Sequence, residues 1–316
     1  MAAPKAPRRG SLQFWPRKRA NKLLPSVNWR AIPDLNNSKG LKGFICYKAG
    51  MASAFVKNNT EYSMTKGKKI VLPVTIMECP PMKILSVRFY KDGKVNAEIL
   101  ADNVDKELKS VIKLPKNKHG KIEDVKDYDD VRVVVYSQVK KTGIKKTPDI
   151  IEIGLSGSLE EKINFAKNKV NKEIFVSEVF DKGFLADARG LTKGKGLSGA
   201  VSRFGITLKQ HKSEKGRRKP GSLGPWHPAR VTFRVPMAGQ LGMFTRAVYN
   251  NKIIQIGKAE NEPALKGITN YGDVKTDYLV IHGSIQGPHK RQILLTYPLR
   301  KTKRQDRENY EFIDLR

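Results

Sequence analysis

Cysteine is nearly absent from this sequence. There are two, Cys46 and Cys79, and no C-x-x-C pair. That excludes a zinc finger and a disulfide framework, which need clustered thiols at fixed spacing. Two buried, apolar-like thiols in a reduced, cytoplasmic compartment are the simplest reading. Long apolar runs are lacking too, and no segment reaches the roughly 18 residues of a spanning helix. The opening residues, MAAPKAPRRGSLQFWPRKRANK, contain no apolar core of a secretory signal, and Pro4, Pro7 and Pro16 oppose the amphipathic helix of a transit peptide. Catalytic constellations are missing as well. None of the five histidines, His119, His211, His227, His282 and His289, lies in H-E-x-x-H or beside a nucleophile, and no metal-ligand cluster is visible. No enzyme activity, cofactor or metal site is therefore expected. Acid is scarce: 30 Asp and Glu stand against 61 Lys and Arg, a net charge of +31.

A charge of that size points to a polyanionic partner. Nucleic acid leads; an anionic membrane surface is second. The charge is uneven. Residues 1–33 hold eight basic residues and no acid, while residues 189–234 hold twelve basic residues and one acid, Glu214. Between them, residues 92–170 carry 16 basic and 14 acidic residues. A near-neutral module faces water or protein; the basic arms face the polyanion.

The apolar patterning is mainly β. GFICYKAGMASAFVKN (43–58) reads as two strands about a turn at Ala49-Gly50, and KIVLPVTIM (69–77) as another. MKILSVRFYKDGKVNAEIL (82–100) reads as a hairpin about Asp92-Gly93. VDKELKSVI (104–112) has helical spacing, VRVVVYSQV (131–139) is a strand, and SLEEKINFAKNKV (158–170) opens with a Ser158/Glu161 capping box. EIFVSEVF (173–180), VTFRV (231–235), NKIIQIG (251–257), DYLVIHGSI (277–285) and RQILLTYPL (291–299) read as strands. The expected fold is mainly β with an α/β insert. A barrel is the natural architecture, because closure removes exposed edges. The expected organisation is a basic N-terminal arm (1–40), a body (41–100 and 171–300), an α/β insert (101–170), a central basic loop from the body (190–242) and a C-terminal tail (301–316).

GKGLSGAV (194–201) matches the G-x-G-x-x-G of nucleotide loops. Its context argues against that: ADARGLTK before it shows no strand pattern, and no kinase lysine, H-R-D or D-F-G accompanies it. The alternative is close backbone approach to a phosphate chain at Gly194, Gly196 and Gly199, with charge from Lys193 and Lys195. Arg203, Lys209, Lys212, Lys215, Arg217, Arg218 and Lys219 extend that charge toward GSLGPWHPARV (221–231). A basic linker with no fixed structure is the competing reading. In that last stretch Trp226 sits between Pro225 and Pro228, followed by His227 and Arg230, with no apolar periodicity around it. A Trp without a core suggests a stacking surface for an unpaired base; packing against the protein body is the alternative. For Trp15 and Trp29 both readings stay open.

Six stretches, in order, carry a family resemblance. YKAGM (47–51), VLPVTIME (71–78), DARGLTKGKGLSGAVSRFG (187–205), GPWHPARV (224–231), PMAGQLG (236–242) and HGSIQGP (282–288) resemble the motifs of the universal large-subunit ribosomal protein L three family, in its archaeal form. The resemblance implies a β-barrel of the kind shared with translation proteins and a non-catalytic role in the large subunit, on the ribosome in the cytoplasm. It implies binding to 23S-type rRNA early in assembly, near its 3′ domain, and a central loop directed at the peptidyl-transferase centre with Trp226 at its tip. The implied rRNA contacts are Arg8, Arg9, Arg17, Lys18, Arg19, Lys193, Lys195, Arg203, Lys209, Lys212, Lys215, Arg217, Arg218, Lys219, Trp226, His227 and Arg230, with close backbone approach at Gly194, Gly196 and Gly199. Neighbouring large-subunit proteins are implied partners, translation factors indirect ones; Mg²⁺ enters only with the rRNA, and neither DNA nor membrane is expected. The Thr-His-Arg that eukaryotic members carry before the tip is missing, since Glu214 stands there. No modified histidine is therefore carried over. The 105–170 segment and the short C-terminus favour the archaeal type.

Overall fold

A computed structural model describes residues 10–34, 40–113, 115, 120, 122–261 and 263–316. It is mainly β, with antiparallel sheets. The chain forms two compact units: Met1–Lys22 with Leu191–Arg246, and Leu23–Gly190 with Ala247–Arg316.

The larger unit begins with β1 (Gly40–Leu41), β2 (Gly43–Asn58), β3 (Lys69–Cys79), β4 (Met82–Lys91) and β5 (Lys94–Leu100). The β-branched and aromatic residues that fill these runs suit a pleated, buried surface. β2 is one continuous strand, not two about a turn. Its pairing with β3 shifts between Lys48 and Gly50, and Ala49 is fully buried. The small residues read as a turn mark a β-bulge, which bends a strand without ending it. The Asp92-Gly93 turn does form the expected hairpin, with φ of 49° and 78° at its two residues.

β6 (Asp130–Ser137) and β7 (Ile150–Ser156) complete a five-stranded sheet in the order β1-β7-β6-β4-β5. The expected insert thus contributes β6 and β7 to a sheet whose other strands come from residues 40–41 and 82–100. α1 (Leu159–Lys169) starts at the Ser158/Glu161 capping box, with both reciprocal hydrogen bonds present. Its Ala166 is buried in the main core. The helical spacing of 104–112 yields only a 3₁₀ segment, Lys106–Ser110. Of the strand read over 173–180 only Ile174 pairs, in an antiparallel bridge with Met82, and Val176–Glu178 is a 3₁₀ turn. The apolar residues Val176, Val179 and Phe180 follow a helical turn's spacing rather than strict alternation, and all three are buried.

A seven-stranded sheet runs β13-β8-β11-β12-β3-β2-β14, with β8 at Leu185–Leu191, β11 at Thr245–Lys258, β12 at Asp277–His282, β13 at Gln292–Thr296 and β14 at Tyr310–Leu315. β13 pairs β2 as well as β8. The main core joins residues of both sheets, among them Phe44, Met77, Ile84, Val133, Ile153 and Leu294. Cys46 and Cys79 are free and buried within it. Burial pushes the Cys79 thiol well up. Trp29 is also core, at 4% exposure.

Candidate nucleic-acid interface

The smaller unit is a loop pinned at its base. Thr192 N–H donates to the Phe244 carbonyl at 3.0 Å, Lys195 N–H to Leu241 O at 3.0 Å, and Leu241 N–H to Gly196 O at 2.9 Å. The short strands β9 (Leu197–Ser198) and β10 (Gly239–Gln240) continue this antiparallel contact. The limbs approach so closely that a Cβ on Gly242, at φ +75°, would strike the Lys193 carbonyl. Gly194 faces the Met243 side chain across the same gap. Close packing of protein on protein therefore accounts for Gly194 within the chain. A Cβ on Gly196 or Gly199 would meet nothing within 4 Å, but Gly196 sits at φ +59°, where glycine is favoured by the backbone itself.

A strand, β8, does precede GKGLSG, and a helix, α2 (Ala200–Phe204), follows it. The absence of a strand inferred from ADARGL is thus corrected. Asp187, a residue depleted in strands, conceals the pattern. It is buried, and its carboxylate accepts from Asn250 N–H and Leu299 N–H, both at 2.9 Å. Burial is the main influence on that carboxyl and raises its pKa. The loop still does not serve as a nucleotide cradle: its Lys195 amide is bonded to the opposing limb, and α2 has five residues.

Arg17 and Arg203, both half-buried, knit the arm to α2. Arg203 Nε–H donates to Gln240 O at 2.9 Å and its Nη1 to Met237 O at 3.1 Å. Arg17 lies 4.2 Å over the Phe204 ring. Burial lowers the pKa of the Arg203 guanidinium. Ala20 N–H donates to Met243 O at 2.9 Å, anchoring the arm again. These two arginines hold protein together, whereas the other predicted contact residues face outward. Lys18, Arg19, Lys193, Lys195, Lys212, Lys215, Arg217, Arg218 and Lys219 are exposed; Lys209 is half-buried. Backbone and side-chain bonds between Lys209 and Arg217 close that segment of the track. Arg8 and Arg9 lie outside the described residues.

Residues 221–230 are exposed without exception, Trp226, His227 and Arg230 among them. Trp226 is 86% exposed. The strand read at 231–235 is a set of turns, with Val235 N–H on Thr232 O. Trp15 packs on Phe233, ring centroids 5.4 Å apart. Phe14, Phe233, Phe244 and Arg246, none of them among the expected contacts, also belong to this unit. Arg246 lies 4.5 Å over Phe14 and 5.3 Å over Phe244. The pair of aromatic residues set just before three basic ones in FWPRKR is the signal for the first of these.

Among the described residues no group of His, Cys, Asp or Glu is placed to hold a metal ion, and no helix is long and apolar enough to cross a membrane. One unit is β-rich and the other strongly cationic, the makeup of a polyanion-binding protein. The chain belongs to the ribosomal protein L3 family, whose model, described as "Ribosomal protein L3", matches residues 1–316. It is a ribosomal protein and not an enzyme. Three archaeal relatives, each named "Large ribosomal subunit protein uL3", span nearly the whole chain. That of Methanocaldococcus jannaschii is 41% identical over 309 residues, 93% of this chain and 91% of its own. That of Archaeoglobus fulgidus is 41% identical over 311 residues, covering 94% and 93%. That of Picrophilus torridus is 37% identical over 314 residues, covering 96% and 94%.

Proposed function

We propose that this chain is a structural constituent of the large ribosomal subunit that binds 23S-type rRNA early in assembly, near its 3′ domain. Its central loop, 190–242, reaches toward the peptidyl-transferase centre with Trp226 at the tip. The carrying observation is the run 221–230: ten exposed residues, an almost fully exposed Trp, and exposed lysines and arginines behind them. Lysine and arginine neutralise backbone phosphates and release counterions, while the Trp ring offers a stacking face. Pro225 and Pro228 restrict the backbone beside the ring and lower the cost of ordering it. Neighbouring subunit proteins contact the remaining surface, and translation factors feel the tip indirectly. Ribosomal Mg²⁺ belongs to the rRNA.

Six strands of the seven-stranded sheet, β13-β8-β11-β12-β3-β2, are read as a closed barrel, with β14 added outside the ring on β2. The support is β13, which pairs β8 on one side and β2 on the other. The 101–170 segment is read as an insert on that body, with the near-neutral charge of a surface that avoids phosphate.

The test is association of the intact chain with large-subunit rRNA across salt concentrations. The expected plot of log K against log salt falls by about 0.7–0.9 per phosphate contact. Co-sedimentation with small-subunit rather than large-subunit particles would sink the reading.

A further inference from the structure

The smaller unit holds a cleft of about 240 Å³ between the arm and the base of the loop. Phe14, Trp15, Phe244, Lys18, Arg19 and Arg246 are among the residues that line it, and no acidic residue is. That sign is unlike the clefts of the larger unit. There Asp105 and Glu107, Glu123 and Asp124, or Asp129 and Asp130 share the lining with basic residues. Opposite charges that satisfy each other in those clefts leave little field for a ligand; in this one the field is uniformly positive.

Shape narrows the ligand. The volume falls below the roughly 300–1,000 Å³ of clefts that take drug-sized molecules, so one planar ring system fits and a longer apolar segment does not. Phe14 is 53% exposed, and the Arg246 guanidinium lies over its ring at 4.5 Å, so a cation sits directly against the exposed aromatic surface. Aromatic and guanidinium planes are the surfaces on which unpaired bases stack. The walls are already fixed. Ala20 N–H on Met243 O, Lys18 N–H on Pro16 O and the Arg17 Nη1 bond to Arg203 O hold the arm, which lowers the cost of ordering on binding.

We propose that this cleft is a nucleotide pocket, receiving one unstacked base of large-subunit rRNA against Phe14 and Phe244, with the flanking phosphates on Lys18 and Arg19. The proposal rests on the rRNA-binding reading above and assigns that interface a pocket separate from Trp226. The base supplies a ring and the phosphates supply the charge, so the two contributions are separable by experiment.

The experiment measures affinity of the full chain for 23S-type rRNA as a function of salt, with chemical probing of the rRNA bases. Phe14→Ala is expected to weaken binding about 5- to 150-fold, the worth of one base–aromatic stack, with the salt slope unchanged. Phe14→Trp restores binding and Phe14→Leu does not, which separates stacking from apolar packing. One rRNA base protected by the wild-type chain becomes reactive with Phe14→Ala. The Lys18→Ala, Arg19→Ala double variant reduces the salt slope by about 1.4–1.8. Thermal unfolding of Phe14→Ala, at a half-exposed site, stays near wild type and separates loss of binding from loss of fold. Wild-type affinity in both Phe14→Ala and Phe14→Leu overturns the pocket while leaving the rRNA reading intact. So does unchanged rRNA binding with loss of a neighbouring protein from the assembled subunit, because the cleft then serves a protein. A wild-type chain that shows no salt-dependent rRNA binding overturns the underlying reading itself.

Discussion

Arg17 and Arg203 grip each other's backbones. Arg17 Nη1 donates to the Arg203 carbonyl at 3.1 Å, and Arg203 Nη2 donates to the Arg17 carbonyl at 3.3 Å. Both guanidinium groups also lie over the Phe204 ring, at 4.2 and 5.2 Å. Two like charges tolerate this proximity because carbonyl oxygens accept hydrogen bonds from both and the Phe204 ring attracts each cation. The pair ties residues 186 positions apart.

Arg203→Ala should therefore act on fold before it acts on phosphate affinity. Removing charge-assisted bonds to Gln240, Met237 and Arg17 carbonyls should cost the smaller unit about 1–3 kcal/mol. Hydrogen exchange at the Lys195 and Leu241 amides should quicken about tenfold or more. Lys195→Ala, at an exposed site, should leave exchange alone and lower the salt slope of rRNA binding by about 0.7–0.9. Equal salt-slope losses with unchanged exchange in both variants would contradict this division.

The three tryptophans occupy three environments. Trp29 is core, Trp15 packs half-buried on Phe233, and Trp226 is 86% exposed. Trp226→Ala should leave unfolding free energy within about 0.5 kcal/mol of wild type, as for other exposed sites. Its effect should fall on rRNA affinity, by about 1–3 kcal/mol, and on aminoacyl-tRNA or factor accommodation, with subunit assembly largely intact. Calorimetry beside a translation assay reads both. A large drop in thermal stability would reveal a packing partner within the protein.

Much of this was legible in the residues, for identifiable reasons. Ser158 and Glu161 announce α1 because capping chemistry is local. Asp92-Gly93 announces its hairpin because only certain residues accept positive φ at both turn positions. The failures were tertiary. β8 was hidden by Asp187, whose carboxylate is satisfied by amides 63 and 112 positions away. β14 alternates only from Tyr310 to Phe312 before a bulge at Ile313 shifts its register against β2. In the interface, the exposed lysines could be anticipated from charge alone. The inward use of Arg17 and Arg203 could not, because an arginine in a basic run looks the same whether it faces carbonyls or solvent.

Gly154 is where the larger unit admits Trp29. A Cβ built on Gly154 would lie 2.8 Å from the Trp29 Cβ, and the ring's far edge reaches Gly43. Gly154→Ala forces a rigid, buried ring to move, at a cost of about 1–3 kcal/mol. Trp29→Ala leaves a cavity and should cost about 3–5 kcal/mol. Urea unfolding checks both, and the double variant should cost less than the sum, because the ring contacts at 3.1 and 3.3 Å are gone and the vacated space lets the residue-29 Cβ, which alanine retains, shift away. Strict additivity would mean that the two residues do not share this contact.

On the five-stranded sheet, Glu152 accepts from Tyr90 Oη at 2.7 Å, Arg88 Nη1 at 2.9 Å and Arg132 Nη1 at 3.0 Å. Burial opposes its ionisation, but these three donors more than compensate and hold its carboxyl below the usual range. Asp130 is treated alike: burial opposes, and Lys162 and Arg132 prevail. A depressed carboxyl stabilises fully above its unfolded pKa, about 3.9–4.3, and that stability is lost as pH falls through the folded value. Asp187 and Asp277 run the other way, because burial raises their pKa and protonation relieves them. The net expectation is a urea midpoint for the larger unit that declines below about pH 4.5. Glu152→Gln keeps the shape and removes the charge. It should cost about 1–3 kcal/mol at pH 7 and flatten the acid limb, so that variant and wild type converge toward pH 3. Parallel curves across that window would rule out ionised Glu152 as a source of the acid sensitivity.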